Sequence, residues 1–195
     1  MNLQRHLPWL VVVVLFFVWE GAVRLFNVPP FILPRPTAFL EALWIWRAEI
    51  AVHSAQTFMT TVAGFGIAMV AGMALGVAIG SSAWLYRSVY SLLIGFNTVP
   101  KVALVPILVM WFGIGSVPAI ITAFLISFFP IVVNVATGIA TVEPELHDVL
   151  RALGARKRDI LWRIGIPRSL PYYFASLKIA ITFAFGGSIV SENVA

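Results

Sequence analysis

TVEPELHDVLRALGARKRDILWRIGIPRSLP, residues 141–171, is the one long polar interruption in the second half of an otherwise apolar chain. Six of the 13 Lys and Arg fall in it (Arg151, Arg156, Lys157, Arg158, Arg163, Arg168), with four of the 8 Asp and Glu (Glu143, Glu145, Asp148, Asp159). A segment so charged folds in water or at a membrane surface, between two hydrophobic spans. Pro144 suits a first helical turn, where its missing N–H costs nothing, and Glu143 and Glu145 complement the positive end of the helix dipole. Leu146, Val149, Leu150 and Leu153 fall at i, i+3, i+4, i+7 and define one apolar face. Asp148 and Arg151 point the other way, three residues apart and able to pair. Gly154 is placed to stop this helix in a left-handed conformation. A second helix is expected over 156–164, with Ile160, Leu161 and Ile164 on one side and Pro167 ending it. The product is a helix–glycine–helix knob with an apolar underside and a charged crown.

The rest of the chain explains why such a knob stands out. With 61% hydrophobic and 11% charged residues and a mean hydropathy of +0.97, the chain reads as an all-α integral membrane protein. Its 195 residues hold several spans but hardly a separate soluble domain. The net charge of +5 is concentrated in one loop, so membrane topology accounts for it better than nucleic-acid binding does. With no cysteine, thiolate metal sites, thiol nucleophiles and disulfides are excluded.

Working outward from the knob, five spans are expected. The first runs over 8–28 from a cytoplasmic N-terminus, with Glu20 and Arg24 as i, i+4 partners near its end. Pro29, Pro30, Pro34 and Pro36 then break the chain, and a short surface helix over 39–53 carries Trp44 and Trp46 as interfacial anchors. The second span, 56–80, has Gly64, Ala68, Gly72, Gly76 and Gly80 at every fourth position. Such a ridge lets two helix backbones touch, which is a usual adhesive where lipid removes the hydrophobic drive. The third span, 88–111, is interrupted by Pro100, Lys101 and Pro106, so a straight helix is not expected. A Lys at the bilayer centre costs roughly 2.5–3.5 kcal/mol. Lys101 therefore either faces a translocation route and draws anions, or sits in a short loop and snorkels to head groups. Residues 117–140 form the fourth span, with Asn134 lining a pore or gluing two helices. The fifth, 171–190, carries Ser188 after Gly186 and Gly187. The expected domains are 1–54, a span plus a periplasmic loop, and 55–195, a core with the cytoplasmic loop 141–171.

Nine residues separate Gly154 from Ile164, Pro167 follows, and Asp148 lies six before the glycine. This spacing resembles the EAA loop of ATP-binding-cassette importer permeases, E-A-A-x3-G-x9-I-x-L-P. Here Asp148 stands for the Glu, Val149 and Leu150 for both Ala, and Ile166 for the Leu. Further stretches resemble the permeases of nitrate, sulfonate, taurine and thiamine-precursor importers: Ile32 to Pro36, Thr98 to Pro106, Trp111 to Gly115, Phe128 to Ile131 and Ile166 to Pro171. The resemblance implies a type I importer bundle in a bacterial inner membrane; family members usually have a sixth span, and the expectation is either a sequence shortened at its C-terminus or a last helix that has been lost. It also implies a coupling role for Asp148, Arg151, Gly154, Ala155, Ile164 and Pro167. Pro100, Lys101, Pro106, Asn134 and Ser188 become candidates for the translocation pathway. The implied partners are ATPase subunits, which hold the ATP and Mg²⁺, an external substrate-binding protein, a second permease copy and membrane lipid. No cofactor is expected on this chain, and no G-x-x-x-x-G-K-[ST], H-E-x-x-H or G-x-S-x-G motif suggests catalysis. The implied substrate is a small organic or inorganic anion such as sulfonate, taurine or nitrate, the alternative being a pyrimidine. An ATP-independent transporter or channel, and a non-transporting anchor, are the competing classes.

Overall fold

The computed structural model describes the backbone from Leu3 to Val194, with the side chains of that stretch apart from those of residues 3–5, Pro144 and His147. The sequence also puts Arg5 on the cytoplasmic side and Ala195 outside; the Arg5 side chain and Ala195 lie outside the described residues. All regular structure among the described residues is helical. The chain divides into two compact units, residues 1–54 and 55–195.

In the first unit, α1 (Leu3–Leu25) is followed by α2 (Pro36–Ile45). Arg24 pairs with Glu20 at 2.7 Å, the i, i+4 contact expected from the sequence. The same carboxylate accepts the Thr37 N–H at 3.1 Å, so a side chain of α1 satisfies an otherwise orphaned donor in the first turn of α2. The surface helix expected over 39–53 does not form as one piece. It breaks at Trp46, and α3 starts at Arg47 and runs 34 residues to Gly80. Arg47 donates to the Trp44 carbonyl at 2.7 Å and lies over the Trp44 ring. That contact satisfies the end of α2 from outside the helix and lets the chain turn.

In the second unit, the C-terminal part of α3 meets α6 (Ser116–Ala140) along the glycine ridge. A Cβ on Gly64 would lie 2.5 Å from the Ile120 carbonyl oxygen, and one on Gly72 2.7 Å from Ile131. Gly76 is as close to Val135 and Gly80 to Ile139, at 2.6 and 2.8 Å. Ala68, between them, is fully buried. The partners on α6 rise in number with the glycines, so α3 and α6 run parallel. The last helix, α9 (Ile166–Val194), is antiparallel to α6: Gly138 lies against Ser169, the Ser127 hydroxyl bonds the Ala180 carbonyl at 3.1 Å, and Gly187 lies against Ile126.

This handed arrangement fixes what lies between. From α3 the chain turns through Ser81 and Ser82 into α4 (Ala83–Thr98), then a 3₁₀ turn (Lys101–Leu104) and α5 (Val105–Phe112). The axes across this break differ by 71°. A re-entrant loop would return to the face it left and make α6 antiparallel to α3. The parallel pair therefore requires α4 and α5 to cross once, as a single broken span. With the four long apolar helices that makes five candidate spans among the described residues. Pro100 breaks the span as expected, but Pro106 does not: it sits in the first turn of α5, where its missing N–H leaves no carbonyl without a partner.

Candidate functional site

Because α3 and α6 are parallel and end together, three features share one face of the layer: the Ser81–Ser82 turn, the start of α4 with Arg87, and the loop after Ala140. On that loop α7 (Pro144–Ala152) starts at Glu143 and ends at Leu153. Gly154 then takes φ +85°, its N–H donating to the Arg151 carbonyl at 2.9 Å, and the Ala155 N–H donates to the Leu150 carbonyl at 3.0 Å. These are the paired bonds of a Schellman cap, and they need a residue that tolerates positive φ.

The second half of the knob departs from expectation. Arg156 to Ile164 is not a separate helix and Pro167 does not end it. A short α8 (Lys157–Ile160) passes into a π-turn (Leu161–Gly165), in which the Ile166 N–H reaches back five residues to the Leu161 carbonyl, and continues directly as α9. A widened turn just before Pro167 relaxes the register in which a proline ring would strike the carbonyl four residues earlier. Gly165, buried beneath it, brings the turn against Leu161 and Ile139. Consequently the loop is one helix hinged by a capped glycine to the first turns of the last span, not a free two-helix knob.

Charge fixes the other end. Arg168, in the first turn of α9, grips Glu143 with two bonds of 2.6 and 3.1 Å, and holds its carboxyl below the ordinary glutamate range. Val142 and Ile160 are buried at the base of the loop. The apolar face of α7 is only partly covered: Leu146 and Leu150 are half-buried, whereas Val149 and Leu153 are 56% and 78% exposed. Asp148 and Arg151 form no ion pair among the described residues; both line a cleft between the loop and the α3–α4 turn. Gly154, Ala155 and Ile164 line a second, smaller cleft under the hinge. Pro167 is exposed on the first turn of α9.

The candidates for a pathway do not form one group. Lys101 lies in the break of the third span, where its ammonium donates to the Asn97 carbonyl at 2.6 Å and to its side-chain oxygen at 3.1 Å. It also lies over the ring of Phe129, which is near the middle of α6. Pro100 and Pro106 are exposed on either side of it. Asn134 donates to the Pro130 carbonyl at 2.8 Å, one turn back on its own helix. Ser188 is fully buried between α9 and α3, 3.3 Å from the Thr60 hydroxyl, and Thr60 and Thr57 both donate to Glu192. That hydroxyl–carboxylate contact in the N-terminal half of α3 was not read from the sequence. Neither was the Glu143–Arg168 pair. No group of three or more metal-ligating side chains is found among the described residues.

Comparisons with known proteins agree with the geometry. Residues 68–195 match the family described as "Binding-protein-dependent transport system inner membrane component". The formylaminopyrimidine transport permease protein ThiX of Halalkalibacterium halodurans is 29% identical over 95% of this chain and 74% of its own length. The taurine transport system permease protein TauC of Escherichia coli is 26% identical over 93% of this chain and 69% of its own. The nitrate import permease protein NrtB of Synechococcus elongatus is 32% identical over 66% of this chain and 46% of its own. With the match covering the glycine ridge from Ala68 onward, the broken span, the capped loop and the last helix, the chain belongs to the family of inner membrane components of binding-protein-dependent transport systems, a type I ABC importer permease.

Proposed function

We propose that this chain couples ATP hydrolysis in a partner subunit to import of a small solute by alternating access. The observation that carries the reading is the capped hinge at Gly154, which joins α7, with Val149 and Leu153 uncovered, to the turns that continue as the last span. A force on α7 passes through Ala155, Ile164 and the Glu143–Arg168 clamp into α9, and from α9 into α6 and α3, which pack too closely to move apart from it. The exposed apolar pair is what a groove on an ATPase would cover, with Asp148 and Arg151 as its polar rim. ATP and Mg²⁺ would be held by that ATPase. The face with the knob carries Arg87, Arg151, Arg156, Lys157, Arg158 and Arg163, a distribution that by the charge rule supports a cytoplasmic position for it; a cytoplasmic N-terminus belongs to the same reading. A second permease copy completes the pathway, and an external binding protein delivers the solute on the opposite face.

For the solute we favour a small anion of the sulfonate or nitrate class, because Lys101 presents a cation in the break of the third span. The similarity to a formylaminopyrimidine permease supports a pyrimidine as the second reading. Co-purification tests the first proposal: a tagged chain should bring down a Walker-motif ATPase, and Val149→Asp with Leu153→Asp should release it. Transport without any such partner would overturn it. Uptake of labelled nitrate, taurine and a pyrimidine by the assembled importer, with and without Lys101→Gln, separates the two solutes. An anion importer should lose most uptake on this change, a pyrimidine importer little.

A further inference from the structure

The cleft between the loop and the α3–α4 turn has a volume of about 820 Å³ and is not used by the coupling described above, beyond the two rim residues of α7. Its walls bring together Arg87 from α4, Arg151 from α7 and Lys157 from α8, residues far apart in sequence, against the single carboxylate of Asp148. All three cations are exposed, and none is in an ion pair among the described residues, where the pairs are Glu20–Arg24 and Glu143–Arg168. Ala83 and Trp84 lie on the same wall and present the positive end of the 16-residue α4. Three cations lining one cleft beside a helix N-terminus suit a phosphate, whose oxygens accept hydrogen bonds from such groups.

Position decides which phosphate. The cleft opens where α3 ends, α4 begins and α6 ends, so it sits at the level of the lipid head groups and not at the tip of the loop. Trp84, 74% exposed at its edge, is the residue type that anchors at that depth. Basic pockets between the ends of membrane helices suit anionic head groups. The geometry points to a binding site for the phosphodiester of an anionic phospholipid of the phosphatidylglycerol class. The bound head group ties Arg87 on the membrane core to Arg151 and Lys157 on either side of the Gly154 hinge. Anionic lipid then sets how firmly the loop is held to the bilayer, and how well a push on α7 is transmitted. That consequence rests on the coupling reading; the site itself does not.

The test is made on the full chain reconstituted with phosphatidylcholine, with and without phosphatidylglycerol. The lipid retained after extraction is read by native mass spectrometry. The wild type should retain phosphatidylglycerol in preference to phosphatidylcholine, and raising the ionic strength should release it. Arg87→Gln with Lys157→Gln should lower retention by roughly fivefold per charge removed, whereas Arg87→Lys with Lys157→Arg should keep it. Soluble glycerol 3-phosphate should not displace the lipid. Equal retention of the two lipids, or retention in the wild type that salt does not alter, would overturn the site even if the neutral variant failed to fold. Displacement by glycerol 3-phosphate would reassign it to a soluble anion. Loss of an ATPase subunit from the neutral variant in lipid-free detergent would reassign the cations to protein docking. Retention is read on this chain alone, so a negative result leaves the coupling proposal standing.

Discussion

Along α3, every fourth residue from Gly64 to Gly80 is too small to hold the neighbouring helix away, whereas on α7 Val149 and Leu153, also four apart, are large and stand in the open. The two regions solve opposite problems with the same helical spacing. In lipid, apolar side chains gain nothing by leaving their surroundings, so α3 and α6 adhere through backbone proximity and dispersion. At the membrane surface water makes burial of Val149 and Leu153 favourable, and nothing among the described residues covers them. A tight contact with no spare volume transmits displacement, and an uncovered one receives it.

The largest effect is expected at Gly64. A Cβ there would lie 2.5 Å from the backbone carbonyl oxygen of Ile120, which cannot swing aside as a side chain could. Gly64→Ala should therefore destabilise the folded chain by about 1–3 kcal/mol. Gly66, two residues along, has nothing within 4 Å of its would-be Cβ, and Gly66→Ala should stabilise by about 0.5–1 kcal/mol through helix propensity alone. Thermal unfolding of both variants in the same detergent compares them directly. Similar shifts of the same sign would mean that the ridge does not set the α3–α6 distance.

Next comes the hinge. Gly154 at φ +85° has open space around it, so what a substitution meets there is backbone strain and not a clash. Gly154→Val should cost about 1–2 kcal/mol locally. The strain lies outside the packed helices, so uptake should fall far more than ATP hydrolysis, whereas Gly64→Ala should lower both together with protein yield. A Gly154→Val importer with an unchanged ratio of uptake to hydrolysis would show that the cap is not the transmitting joint.

A smaller change is expected at the opposite face, where Glu192 accepts from Thr57 and Thr60. Glu192→Ala should cost about 1 kcal/mol, the usual net worth of such bonds, and should free the far end of α9 from α3. Faster amide exchange confined to residues 186–194 would agree; no change would place the holding force further inward, at Ala184 and Ala180.

Which of these features could be read beforehand follows from how far apart in sequence their partners lie. The glycine ridge was legible because one helix carries all of it at a fixed spacing, and the Gly154 cap because a Schellman turn is made within six residues. Pro167 misled because the rule that proline stops a helix assumes an unbroken α register, which the π-turn at 161–165 removes. The break at Trp46 was missed because it depends on where the Arg47 side chain folds, over Trp44, and not on a turn-forming residue. Glu143 with Arg168, 25 residues apart, and Thr57 with Glu192, 135 apart, meet only once the helices are assembled. Lys101 was legible as an anomaly; Phe129, on a different helix, was not legible as its partner, and Asn97, four residues back, was missed because the helix ends at Thr98 between the two, where i, i+4 spacing no longer applies.

The smallest effect should come from the Glu143–Arg168 clamp, because both groups are in solvent and screening weakens such a pair. Its signature is pH dependence. Hydrogen bonds from the Arg168 guanidinium, then its charge, lower the Glu143 pKa from the ordinary 4.5. A carboxyl whose folded value is depressed lends stability that is present above its unfolded value and is lost as pH falls through the folded one. The clamp should therefore be fully effective at pH 7 and at pH 5, and should loosen only below about 4.5, where unfolded glutamate takes up its proton. Protease cleavage within residues 143–156, followed from neutral to acid pH, reads this directly. Glu145, Asp148 and Asp159 are further carboxylic side chains of the same loop, so the quantity that matters is the difference between the wild type and Glu143→Gln. That difference should be greatest at neutral pH and vanish in acid. If it persisted unchanged into acid, the loop would be held at this end by its buried anchors, Val142 and Ile160, and the ion pair would contribute nothing to the path from α7 into the last span.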